Sequence, residues 1–166
     1  MAGLTSVLLI GTAMVLQNSI VSRLQMLYGA ADLVLLVLIS WILQSGERRH
    51  WPLGLLAGLL MGISSAVPVW VPVIGYVSFT LIVTWIQQRV WQVPIWLLVI
   101  STFFGTFMIY GLEILYRWLT AVQLDLLQVL NVVLLPSLVL NMIIVLPVYA
   151  FVGELTKRLY PKEVEA

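Results

Sequence analysis

WPLGLLAGLLMGISSAVPVW, from Trp51 to Trp70, is the stretch that decides the fold. It holds no charged side chain, and small residues recur every fourth position at Gly54, Gly58, Gly62 and Ala66. Four helical residues turn about 400°, so the row drifts only about 40° per step and stays on one face for roughly 18 Å. Apolar surface gives helices no net reason to associate in lipid, whereas close backbone approach over small residues does. The stretch therefore reads as a membrane-crossing helix, and as the spine against which other helices pack. The pattern speaks to packing and carries no chemistry.

The rest of the composition agrees. The 166 residues are 62% hydrophobic and 9% charged, with mean hydropathy +1.10. Soluble domains are nearer 45–50% apolar and about 25% charged, so the expectation is a single integral membrane domain, all-α, with room for six spans. A net charge of +1 gives no electrostatic footing for nucleic acid. The absence of cysteine removes disulfides, thiol catalysis and Cys-ligated metal, and a single His50 cannot build a zinc site. No Lys or Arg precedes Arg23, so the first segment lacks the basic start of a secretory signal and is expected to remain as a span.

Spans are expected at about residues 2–22, 31–44, 52–70, 73–87, 94–111 and 132–152. Gln17 and Asn18 lie near the far end of the first. Asp32 precedes the apolar run of the second, LVLLVLISWIL, where its carboxylate can cap free N–H groups; a start near Leu24, with Asp32 inside the span, is the less favoured alternative. Pro52 sits at the start of the third, where a missing N–H costs nothing, and Pro94 starts the fifth. Pro68, Pro72 and Gly75 break the chain between the third and fourth. In residues 112–130, Glu113, Arg117, Thr120, Asp125 and Gln128 interrupt an apolar background. That segment reads as an interfacial amphipathic helix, or as an extension of the fifth span, with Glu113 and Arg117 spaced for a helical ion pair. Pro136 and Pro147 are expected bends in the last span. All seven tryptophans (Trp41, Trp51, Trp70, Trp85, Trp91, Trp96 and Trp118) fall near span ends, as an aromatic belt requires. Six spans place Arg48, Arg49, Arg89, Lys157, Arg158 and Lys162 on one side and Arg23 and Arg117 on the other, which makes both termini cytoplasmic.

Each polar candidate has a bland reading beside a functional one. Asn18, Asn131 and Asn141 could line a ligand cavity, but hydrogen bonding between helices is favoured. Glu113 could relay protons, but a solvated pair with Arg117 is favoured. Asp32 could be a transport carboxylate, but the cap is favoured. His50 reads as solvated. Arg48 and Arg49 could touch anionic lipid, although topology alone accounts for them. With no ionisable group clearly deep in a span, no paired carboxylates and no Ser/His/Asp set, an enzyme is not expected.

LQNSIVSRL (Leu16 to Leu24), ADLVLLVLISW (Ala31 to Trp41), GLLAGLLMG (Gly54 to Gly62) followed by Gly75, and LPSLVLNMIIVLPVYAFV (Leu135 to Val152) together give the chain a resemblance to MreD, the rod shape-determining membrane family of bacterial cell-wall elongation. The resemblance covers most of the length. It implies a six-helix fold similar to the substrate-binding subunits of energy-coupling-factor vitamin transporters, without a cofactor or metal. It also implies a scaffold role beside an MreC-like single-span protein, with MreB, a RodA-type polymerase and a class B penicillin-binding protein in the same machinery. Ala31 stands where the family often has Pro, and Gly62 where it commonly has Asp. The candidate docking surfaces are the row Gly54, Gly58, Gly62 and Ala66, and the outer segment around Glu113, Arg117 and Trp118. Asn18 and Asn141 are the candidate intramembrane polar contacts. The rival reading is a vitamin-binding transporter subunit. It requires a polar cluster inside the bundle and a coupling surface on the first span, where Gly3, Gly11 and Ala13 form no regular row.

Overall fold

The computed structural model describes residues 2–19, 29–45, 49–90, 95–120 and 125–159. Over these the chain is all-helical: α1 (Ala2–Ser19), α2 (Leu33–Ser45), α3 (Trp51–Ser64), α4 (Trp70–Gln87), α5 (Ile95–Leu119), and a last rod made of α6 (Leu126–Val129), a π-helical turn (Leu130–Leu134) and α7 (Leu135–Leu159). Three rods are long and apolar enough to cross a membrane: α4, α5 and the last one; α1, α2 and α3 are shorter apolar helices. Arg23, Arg48, Trp91, Pro94, Lys162 and residues 121–124 of the expected interfacial segment lie outside the described residues.

The rods run up and down between two ends. At one end Ser45 meets His50, which meets Thr84, and Thr5 shares a groove with Trp41 and Arg158. At the other, Gln17, Asp32, Tyr76, Ser137 and Asn141 converge. The described basic residues Arg49, Arg89, Lys157 and Arg158 belong to the first end, hereafter the basic end, and Arg117 belongs to the second.

The spine of the bundle is α2, not α3. Leu33–Leu43 is apolar on every side except Ser40, whose hydroxyl donates back to the Leu36 carbonyl at 2.7 Å. A helix without a polar face has to be enclosed, and α2 packs against α1, α3, α4, α5 and α7. Val34 through Leu43 are all buried. Its thirteen residues reach about 20 Å.

The small-residue row has one partner. A Cβ on Gly58 would lie 2.6 Å from Val73 Cα, and one on Gly62 would lie 2.8–2.9 Å from Val69. Gly54 abuts Thr80 and the Tyr76 carbonyl. The row is thus filled by α4, and α3 and α4 form the closest hairpin of the fold. Ala66, expected as the fourth member, lies beyond the end of α3 and is exposed. The span boundary also differs: α4 begins at Trp70 and runs through Pro72 and Gly75. Pro72 is its third residue, in the first turn, where no intrahelical N–H is called for.

Over the described part of 112–130, the second of the two expectations, an extension of the fifth span, is what forms. The helix α5 continues through Gly111, Glu113 and Arg117 to Leu119, and Asp125 then caps α6 by accepting from Leu127 N–H at 3.1 Å and Gln128 N–H at 3.3 Å. Beyond it, Leu135 N–H donates to the Leu130 carbonyl, five residues back. The widened turn comes immediately before Pro136, whose ring would crowd the carbonyl four residues earlier in a regular helix. Gly29 packs on this turn so closely that a Cβ there would lie 2.7 Å from Ser137 N and 2.8 Å from the Val133 carbonyl.

Of the tryptophans, Trp51, Trp70, Trp85, Trp96 and Trp118 are exposed, whereas Trp41 is 1% exposed and belongs to the core.

Candidate functional site

The densest polar chemistry sits where the chain enters α2. Residues Gly29 to Asp32 are not helical, yet Gly29, Ala31 and Asp32 are buried. Buried non-helical backbone needs partners for its polar groups, and here side chains from three other helices supply them. Ser137 Oγ accepts from Ala30 N–H at 3.1 Å, and the Tyr110 hydroxyl donates to the Ala30 carbonyl at 3.1 Å. Asn141 Oδ1 accepts from Asp32 N–H at 2.8 Å, while its Nδ2 donates to Thr106 Oγ1 at 2.9 Å. On α1, Gln17 Oε1 accepts from Val34 N–H at 3.2 Å and its amide approaches Met61 Sδ at 3.5 Å.

Asp32 is the centre of this junction. Its Oδ1 accepts from Leu35 N–H at 2.9 Å, which is the N-cap bond anticipated from sequence. Its Oδ2 accepts from the Tyr76 hydroxyl on α4. With 3% of its surface exposed, it is an ionisable group buried in the bundle, which the sequence offered only as the less favoured reading. Cap and buried interhelical contact are one and the same residue here.

Glu113 also departs from its expected role. It is half-buried and accepts from Ser65 Oγ at 3.5 Å, across to the chain that follows α3, and it forms no ion pair with Arg117 among the described residues. Trp118 is exposed one turn beyond, and Trp70 packs edge-on to Tyr116 with centroids 5.4 Å apart. Asn18 is exposed at the end of α1, and Asn131 is exposed in the π turn. Only Asn141, among the three asparagines singled out, enters the core.

At the basic end, His50 is buried rather than solvated. Its Nε2 lies 2.9 Å from Ser45 Oγ and its Nδ1 3.3 Å from Thr84 Oγ1, so it ties the end of α2 to α4 just before α3 begins. Sequence reasoning missed Tyr76, Thr106, Tyr110 and Ser137 as junction members. Each is one of several polar side chains along its helix, and nothing local singles it out. It also missed Gly105, whose added Cβ would lie 2.7 Å from the Phe79 ring.

The cavities are peripheral. One of about 290 Å³ lies between α1, α2 and α7 and is lined by apolar residues such as Leu16, Leu33 and Pro147. Another of about 360 Å³ runs along α1 to Arg158, and a third of about 120 Å³ lies between Trp70, Ile74 and Leu115. A fourth, of about 420 Å³, is polar on one side and lies at the basic end beside His50. The Asp32 junction lines none of these four. No trio of His, Asp or Glu positioned for a metal occurs among the described residues. Chemically, the junction matches donors to acceptors and fixes helix positions. No family model matches this chain, and neither a curated protein nor a solved structure matches it significantly.

Proposed function

We propose that the chain is a non-enzymatic, multi-pass scaffold of the bacterial cytoplasmic membrane, with an MreD-like part in cell-wall elongation and the maintenance of cell shape. It acts by holding an MreC-like single-span protein, beside a RodA-type polymerase, a class B penicillin-binding protein and MreB. All six rods cross the bilayer. The basic end faces the cytoplasm, as the positive-inside rule directs, and brings both termini there.

One observation carries this reading: the polar groups at the heart of the bundle are consumed by one another. Asp32, Tyr76, Thr106, Tyr110, Ser137 and Asn141 all bond within the junction or to the backbone beside it. A binding subunit for a small polar molecule needs a cavity with convergent, unspent polar groups. A rigid closed bundle instead offers its partners an outer surface held in one shape. The small-residue row is occupied by α4, so the docking surface moves to the outer end of α5, around Glu113, Arg117 and Trp118.

The alternative, a substrate-binding subunit of an energy-coupling-factor vitamin transporter, draws on the size of that same polar junction, which exceeds what the sequence suggested. Affinity purification of the tagged chain from its native membrane, with mass spectrometry of co-purifying proteins, separates the two. An MreC-like protein or a wall polymerase supports the scaffold. Recovery of ATPase and coupling subunits overturns it.

A further inference from the structure

The polar cavity at the basic end lies between the start of α3 and the end of α4. Arg49, His50, Thr84 and Gln88 form one side of it, and Trp51, Leu81 and Trp85 the other. Its volume of about 420 Å³ falls within the usual range of small-ligand sites, about 300–1,000 Å³. No carboxylate is among these lining residues. The Arg89 guanidinium stacks 4.1 Å from the centroid of the Trp85 ring, so a second cation adjoins the apolar wall. The two tryptophans are half-exposed, as rings at headgroup level are. His50 is held by Ser45 and Thr84 and so gives the cavity a fixed floor.

We propose that this cavity binds the headgroup of an anionic phospholipid. The division of its lining is the argument. A soluble anion needs the cation and the hydrogen-bonding side chains but gains nothing from two exposed indoles and Leu81. A phospholipid uses both, with its phosphate against Arg49 and its glycerol and first methylenes over Trp51, Leu81 and Trp85. The charge is complementary, since Arg89 adjoins the cavity beside Arg49, and basic residues at a membrane surface attract anionic lipid. Arg49 is exposed at the cavity rim, so its guanidinium is available to a headgroup. The inference needs the chain to lie in a bilayer and does not depend on the scaffold reading.

The test is native mass spectrometry of the full chain in mild detergent, titrated with dioleoylphosphatidylglycerol, dioleoylphosphatidylcholine or inorganic phosphate. One phosphatidylglycerol should be retained in preference to phosphatidylcholine. Arg49→Gln should weaken it about fivefold, the effect of removing one basic group near an anionic surface. Arg49→Lys should recover most of the affinity, and both variants should fold because the side chain is exposed. Lys157→Gln removes the same charge from the same end and should leave retention unchanged. Equal weakening by Arg49→Gln and Lys157→Gln would show bulk attraction and overturn the site. Equal retention of phosphatidylcholine would do the same, as would displacement of the lipid by millimolar inorganic phosphate, which would make the ligand a soluble anion.

Discussion

Replacing a glycine by alanine adds one methyl group, and in this fold the same change should have opposite signs at different positions. At Gly58 the new Cβ would sit 2.6 Å from Val73 Cα, 3.1 Å from Val73 N and 3.1 Å from the Pro72 carbonyl. All three are backbone atoms and cannot swing aside. Ordinary contact begins near 3.4 Å, so α3 and α4 must part by about 0.8 Å at this point. A gap of 0.5–1 Å forfeits about a quarter to a half of the dispersion energy of the atoms that line it. Overpacking of this kind costs about 1–3 kcal/mol, and the better helix propensity of alanine offsets about 0.5–1 kcal/mol of that. A net loss of about 1.5 kcal/mol remains, which lowers the midpoint by about 3–6 °C for a chain of this size. At Gly111 nothing among the described residues lies within 4 Å of the added Cβ, so only the propensity gain applies and the midpoint should rise by about 1–4 °C. Gly75→Ala, whose Cβ would meet Leu112 and Ile109 side chains at 3.4 and 3.7 Å, should fall between the two. Thermal unfolding in one mild detergent, followed by circular dichroism, ranks the three variants. A Gly58→Ala protein as stable as wild type, or a Gly111→Ala protein that loses as much as Gly58→Ala, would refute the assignment of α4 as the occupant of the row. Gly58→Leu should be worse than Gly58→Ala on every count.

The junction makes its own predictions. Asn141→Leu leaves the buried Asp32 N–H without an acceptor and should cost about 1–3 kcal/mol. Thr106 adds little to that loss, because its hydroxyl can turn to the carbonyl one turn back, as Thr80 and Thr102 do at 2.7 and 2.8 Å. Tyr76→Phe should cost a similar amount, and a double-mutant cycle with Asn141→Leu should show coupling of at least about 0.5 kcal/mol through Asp32; additive losses would break the shared-centre account. Arg117→Gln should change stability by less than about 0.5 kcal/mol, since no close ion pair joins Arg117 to Glu113. A larger loss on unfolding would restore the ion pair.

Much of the architecture is written in the chain one segment at a time. Uncharged runs between polar breaks give the helices, Asp32 ahead of an apolar run gives a cap, and Arg and Lys collect where alternate helix ends meet. These features are local, since each follows from residues within one or two turns of one another. What the sequence left open is which face of each helix meets which neighbour. The row of Gly54, Gly58 and Gly62 announces a close approach without naming α4 as the helix that makes it. Asn141 announces a buried bond without naming Asp32, which lies more than a hundred positions away. The apolar run of α2 announces burial without naming the five other helices that enclose it. The physical reason is common to all of these. Hydropathy and helix geometry act on neighbours in sequence and so are legible there. Desolvated hydrogen bonds and backbone contact join groups far apart in the chain, and only the tertiary structure decides which of them meet.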